Sequence, residues 1–256
     1  MMRKLKTYFD LAKRTITDPA GAAGEFMAPG AGSGGPLAVY LAYCAAYALF
    51  LYIKPADFPS EFSEAAGEFS GKPYIWLFAV QAFFELAFTA AFCALFAAFA
   101  GFLKEGRPAF KFLSGCAACG AYAAAAFYSR TEPKFAPPLL AAAGAAAYAG
   151  VRAARPAAAA FFRFSLAVNA AMLLCLPVYA LAAALRSETL YTAAEAAGGL
   201  WLIVLTVKAS KAVFGGTTAR AALTLLFSML TAVFSFYMLK NLDLIPAEIF
   251  RFMMFM

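Results

Sequence analysis

The chain has no histidine and little charge: 14% of its 256 residues are Asp, Glu, Lys or Arg. Without histidine, Ser–His hydrolases, His-ligated zinc hydrolases and His phosphotransfer sites are excluded. No GxxxxGK[ST] sequence occurs, so ATP hydrolysis through a Walker A loop is excluded too. What fills the chain is apolar, with 64% hydrophobic residues including 28 phenylalanines. Soluble domains average about half apolar and about a quarter charged, and this composition is instead that of a polytopic membrane protein.

Cysteine usage supports a non-redox reading. The five cysteines (Cys44, Cys93, Cys116, Cys119 and Cys175) all fall in apolar runs, and an odd buried set does not make a disulfide framework. Cys116 and Cys119 stand in Gly115-Cys116-Ala117-Ala118-Cys119-Gly120, whose small residues read as a helix–helix contact surface. With no second CxxC and no histidine, a zinc site is not expected there. Gly30 to Gly35 satisfies GxGxxG, yet no strand precedes it, so it reads as a flexible lead-in rather than a dinucleotide site. The net charge of +7 is not organised as a basic, aromatic-interleaved stripe, and nucleic acid is not an expected partner. No cleavable signal peptide is expected, because the first 35 residues lack a compact apolar core.

A helix crosses the hydrocarbon with about 20 apolar residues, each rising about 1.5 Å through about 30 Å. Helices are required because lipid offers no partner to a free backbone amide. The predicted fold is therefore all-α, a transmembrane bundle of about seven spans. They fall near residues 37–53, 74–103, 109–128, 135–151, 157–185, 192–213 and 219–239. The third and fourth are Ala-rich, so five spans plus a re-entrant hairpin is the alternative. Residues 1–35 form an amphipathic cytoplasmic segment, 36–240 the bundle and 241–256 a short tail. With the N-terminus in the cytoplasm and the C-terminus out, the inside segments carry twice as many Lys and Arg residues as the outside ones, as the positive-inside rule requires. Acids gather in the first outside loop as Asp57, Glu61, Glu64 and Glu68.

Leu5, Tyr8, Phe9, Ala12 and Ile16 recur at helical spacing, with Lys4, Lys6, Lys13 and Arg14 on the other faces. Such a helix either lies on an anionic membrane surface or caps the bundle. Asp18-Pro19 reads as the N-cap and first position of a second short helix reaching Phe26.

Polar groups inside spans are costly and point to function. Glu85 is the only acid read as lying within a span, and Gln81 and Thr89 sit one turn either side on the same face. The stripe suits a cavity lining, a cation or a proton; its bland alternative is a hydrogen-bonded carboxyl joining helices. Arg163 and Asn169 lie in the fifth span, where Arg163 is expected to snorkel toward the interface or to pair with Glu85. Pro177 is expected to kink that span.

Three features together resemble the Yip-type (Ypt/Rab-interacting) membrane protein family in its bacterial form. They are the N-terminal segment with Asp18-Pro19 and Phe26, the acidic loop after the first span, and the C-terminal half. In that half, Phe161-Phe162-Arg163-Phe164-Ser165-Leu166-Ala167-Val168-Asn169 leads to Leu176-Pro177. Leu200-Trp201-Leu202-Ile203-Val204-Leu205 and Thr218-Ala219-Arg220-Ala221 resemble the family's last two spans. The family usually has five spans, and residues 109–151 look like an added hairpin. The resemblance implies a non-enzymatic protein of the bacterial cytoplasmic membrane, without a cofactor, that organises membrane or scaffolds a membrane complex. Its expected partners are the bilayer, including anionic lipid, and another membrane protein. A transporter or permease subunit using the Gln81/Glu85/Thr89 face is the alternative.

Overall fold

The computed structural model describes residues 2–28, 30–59, 71–104 and 106–254. Among these residues all regular structure is helical and no strand occurs. Glu61, Glu64 and Glu68 lie outside the described residues, as do the side chains of Lys4, Lys6 and Tyr8.

Two short helices open the chain, α1 (Met2–Thr17) and α2 (Pro19–Glu25). Asp18 ends one and starts the other as the sequence predicts: its carboxylate accepts from the Gly21 amide at 3.0 Å, and Pro19 takes the first helical position. Gly30, with φ +83°, turns the chain in the left-handed region that glycine tolerates. The glycine run is thus a lead-in to α3 (Gly34–Ile53).

The remaining helices are α4 (Tyr74–Lys104), α5 (Pro108–Tyr128), α6 (Ala136–Ala153), α7 (Arg155–Val168), α8 (Ala170–Ala184), α9 (Glu188–Phe214), α10 (Thr218–Asn241) and α11 (Ala247–Met254). Six segments are long and apolar enough to cross a membrane: α3, α4, the body of α5, α7 with α8 as one 30-residue stretch, α9 and α10. The other predicted span is α6, a regular 18-residue helix. Its alanine-rich composition makes it less apolar than the rest, yet its length is about 27 Å at 1.5 Å per residue.

The fifth span is interrupted at Asn169, and α8 runs on through Pro177. There the Asn169 side chain turns back to the Ser165 carbonyl at 3.4 Å, a local bond of the kind that competes with the helical ladder.

The chain divides into two compact units, Met1–Leu86 with Arg163–Ala209, and Ala87–Phe162 with Ser210–Met256. In the first unit α1 packs on α2, α3 and α8. The N-terminal segment therefore belongs to the bundle rather than standing apart from it. Thr15 is completely buried, while Phe9 is 70% exposed, so α1 caps the helices with one face and leaves Phe9 outward. Two side chains close this unit's ends. Arg186 reaches Asp57 at 2.9 Å with both exposed, and Lys54 donates to the Phe58 carbonyl at 2.9 Å, burial lowering its amine from the ordinary lysine range.

The second unit is held by phenylalanines and small residues. Phe96, Phe161 and Phe214 stack around one another, with ring centres 4.3–5.6 Å apart. Cys119 lies beneath α10, its sulfur 3.8 Å from Thr231 Oγ1, and Gly115 sits directly against the Phe227 ring. The Cys116/Cys119 segment is thus the helix contact surface its small residues suggested, with Cys116 exposed and both thiols free.

Candidate functional site

The helices of the first unit enclose a row of polar groups. On α3, Tyr40, Cys44 and Tyr47 recur about every turn and are buried together with Tyr43. Tyr40 donates its hydroxyl to the Ala82 carbonyl of α4 at 2.7 Å. One turn along α4 from that carbonyl, Glu85 Oε2 receives a long contact of 3.9 Å from Cys44 Sγ. Tyr43 and Tyr47 also stand within electrostatic reach of the Glu85 carboxyl.

Gln81 lies one turn before Glu85 and is 1% exposed. Neither its amide nitrogen nor its carbonyl oxygen has a hydrogen-bond partner of ordinary geometry. Its polar neighbour on the same face is the Glu85 carboxyl, which it meets outside ordinary hydrogen-bond geometry.

From Tyr47 the row continues through rings. Tyr43, Tyr47, Phe50 and Tyr179 follow one another at 5.8, 6.0 and 6.1 Å between centres. Tyr179 then meets Tyr191 of α9 at 5.4 Å, and Tyr191 packs edge-on against Phe58 at 5.5 Å. The Tyr179 hydroxyl is buried without a partner, next to Gly198, where a side chain would stand 3.5 Å from it. Glu195 closes this end, in electrostatic reach of Tyr47, Tyr179 and Tyr191.

Glu85 is therefore not the only acid inside the predicted spans of this unit. Glu195 sits inside the predicted sixth span, among alanines. Its signal in the sequence was the Tyr191–Glu195 spacing of one turn. Its relation to Tyr47 and Tyr179 depends on helices far apart in the chain. The tyrosines were likewise hidden, because the composition counts each with the hydrophobic residues although it carries a hydroxyl.

The other sequence candidates separate. Thr89 stays one turn beyond Glu85 on the same continuous helix α4 and is half-buried. Asn169 forms the α7–α8 break. Arg163 does not pair with Glu85: its Nη1 donates to the Phe26 carbonyl at 2.9 Å and its Nε to Ser33 Oγ at 3.3 Å, both on the segment that precedes the first span. Arg14 is engaged by Glu25 at 2.8 Å, which offsets its charge at the surface, whereas the Lys13 side chain is exposed.

Chemically, carboxyls, phenols and a buried amide suit the holding of a proton, a monovalent cation or a small polar solute. Among the described residues no three His, Cys, Asp or Glu side chains gather as metal ligands would. The chain matches no family model, no curated protein and no solved structure.

Proposed function

We propose that this integral membrane protein is a non-enzymatic scaffold of Yip type, presenting α1 and α2 as a platform to a partner or to anionic lipid. One observation carries the reading. Two of the segments on which the resemblance rests, the one ending in Phe26 and the one containing Arg163, meet in a hydrogen bond at 2.9 Å. The platform is thereby fixed to the bundle while Phe9 and Lys13 face outward. Deleting α1 would not test this cleanly, because buried Thr15 and the packing on α3 and α8 go with it. Phe9→Ser with Lys13→Gln leaves those contacts in place. The double variant should lose association with anionic vesicles or with a cross-linked partner at an unchanged unfolding temperature. Undiminished association with both would sink the reading.

A second reading rests on Gln81. Its buried amide beside the Glu85 carboxyl suits a transporter or proton-coupled carrier that binds its solute within the first unit. Intramembrane carboxyls commonly mark such paths. Glu85→Gln in reconstituted vesicles should then abolish uptake or proton movement; if both persist, the carboxyl joins helices and nothing more.

A further inference from the structure

The second unit contains a cleft of about 340 Å³ that the tyrosine row does not touch. It lies where the C-terminal ends of α4 and α9 meet the start of α10. Its lining combines the basic Lys104 and Arg220 with the apolar Phe96, Ala100, Leu103 and Phe214. No carboxylate is among its described lining residues.

The local chain keeps this cleft open and positive. Gly215 and Gly216, with φ +73° and +94°, make the turn into α10, and neither places a side chain over the mouth. Thr217 caps α10 by accepting from the Arg220 amide at 3.3 Å, and the first-turn amides of this 24-residue helix add the positive end of its dipole. Arg220 Nη1 is fixed on the Lys104 carbonyl at 2.8 Å. That bond uses one of five guanidinium N–H groups and orients the fork.

A helix end in a membrane protein lies where headgroups meet acyl chains. We propose that this cleft binds an acidic phospholipid, with its phosphate held by Arg220 and Lys104 and its first acyl carbons against Phe96, Leu103 and Phe214. A phosphate matches the guanidinium fork, and the apolar wall gives a lipid an advantage over a free anion. The cleft is also within the usual size of a ligand pocket, about 300–1,000 Å³.

The test uses the full chain, delipidated in detergent and given short-chain phosphatidylglycerol, short-chain phosphatidylcholine or inorganic phosphate, with bound lipid counted by native mass spectrometry. Phosphatidylglycerol should be retained in preference to phosphatidylcholine. Arg220→Gln should weaken it by about tenfold, the loss expected for one charge-assisted contact. Because Arg220→Gln also breaks the Lys104 bond, Ala100→Phe serves as the independent variant: it fills the apolar side without touching a charge, and it should block the lipid as well. Lys134→Gln, beyond the cleft, should change nothing. The proposal is overturned if both phospholipids bind alike, if Arg220→Gln and Ala100→Phe each retain phosphatidylglycerol undiminished, or if inorganic phosphate binds as tightly as the lipid, which would make this a free-anion site.

Discussion

Arg163 donates from Nη1 to the carbonyl of Phe26 at 2.9 Å, closing a bond between residues 137 positions apart. Phe26 is the C-cap residue of α2, so a cation from α7 satisfies backbone at the very point where the N-terminal segment turns toward α3. A second bond to Ser33 holds the other side of that turn.

Removing this cation should loosen the turn while leaving the bundle folded. Arg163→Gln loses a charged hydrogen bond, about 1.5–3 kcal/mol in a favourable setting. Amide exchange at residues 26–34 should accelerate by roughly tenfold or more at that cost, with helical content unchanged. Arg163→Lys retains the charge but not the fork and should fall between. Equal exchange in all three proteins would show that the turn is held by packing alone.

Gly150 is required by a close approach of backbones. A methyl group there would run into the Ala98 backbone nitrogen of α4, a clash that no rotamer change relieves. Gly150→Ala should therefore force α6 and α4 apart and cost about 1–3 kcal/mol, the usual range for overpacking. Gly144, two turns earlier on α6, has nothing within 4 Å of the same methyl. Gly144→Ala should raise stability by about 0.5–1 kcal/mol through helix propensity. Thermal unfolding in detergent reads both, and their opposite signs are the test.

Two tyrosines of the polar row should also respond in opposite directions. Tyr40 gives its hydroxyl to the Ala82 carbonyl, and Tyr40→Phe should cost about 1 kcal/mol. Tyr179 buries a hydroxyl with no partner, and Tyr179→Phe should stabilise the protein by removing an unmet polar group. A destabilised Tyr179→Phe would mean that this hydroxyl is satisfied by something bound in the row.

Helix existence was legible because lipid imposes a length and an apolar composition on any spanning segment. The Asp18-Pro19 start and the Gly115–Gly120 contact surface were legible for equally local reasons. What escaped was long-range or chemically ambiguous. The partners of Arg163 lie on a distant segment, which its position near a span end could not name. The interruption at Asn169, where a side-chain amide competes locally, gave no such sign. The polar row was split among helices α3, α4, α8 and α9, and about half its members are tyrosines, counted with the hydrophobic residues in the composition. Only the Gln81–Glu85 pair was readable, since both share one face of one helix.

The number of crossings turns on residues 109–151, and contacts within the second unit bear on it directly. Tyr122 reaches Ser235 at 2.8 Å, Ser129 receives Asn241 at 3.0 Å, and Gly115 lies against Phe227. Position rises along both helices together, so α5 runs parallel to α10 over its length, about 31 Å at 1.5 Å per residue. If α10 crosses the bilayer, α5 crosses it in the same sense. Helix α6 then returns: Ala136 is buried with Met238 near the end of α10, while Gly150 meets Ala98 toward the end of α4, whose Lys104 carbonyl binds Arg220 at the start of α10. A re-entrant hairpin of two half-length helices does not make these pairings. Single cysteines placed in a cysteine-free background at Thr131 and Arg155 should therefore label from opposite sides of the membrane, giving seven crossings with the termini apart. Labelling of both from one side would mean that α5 and α6 enter and leave the same face, and would restore the five-span count of the Yip-type family.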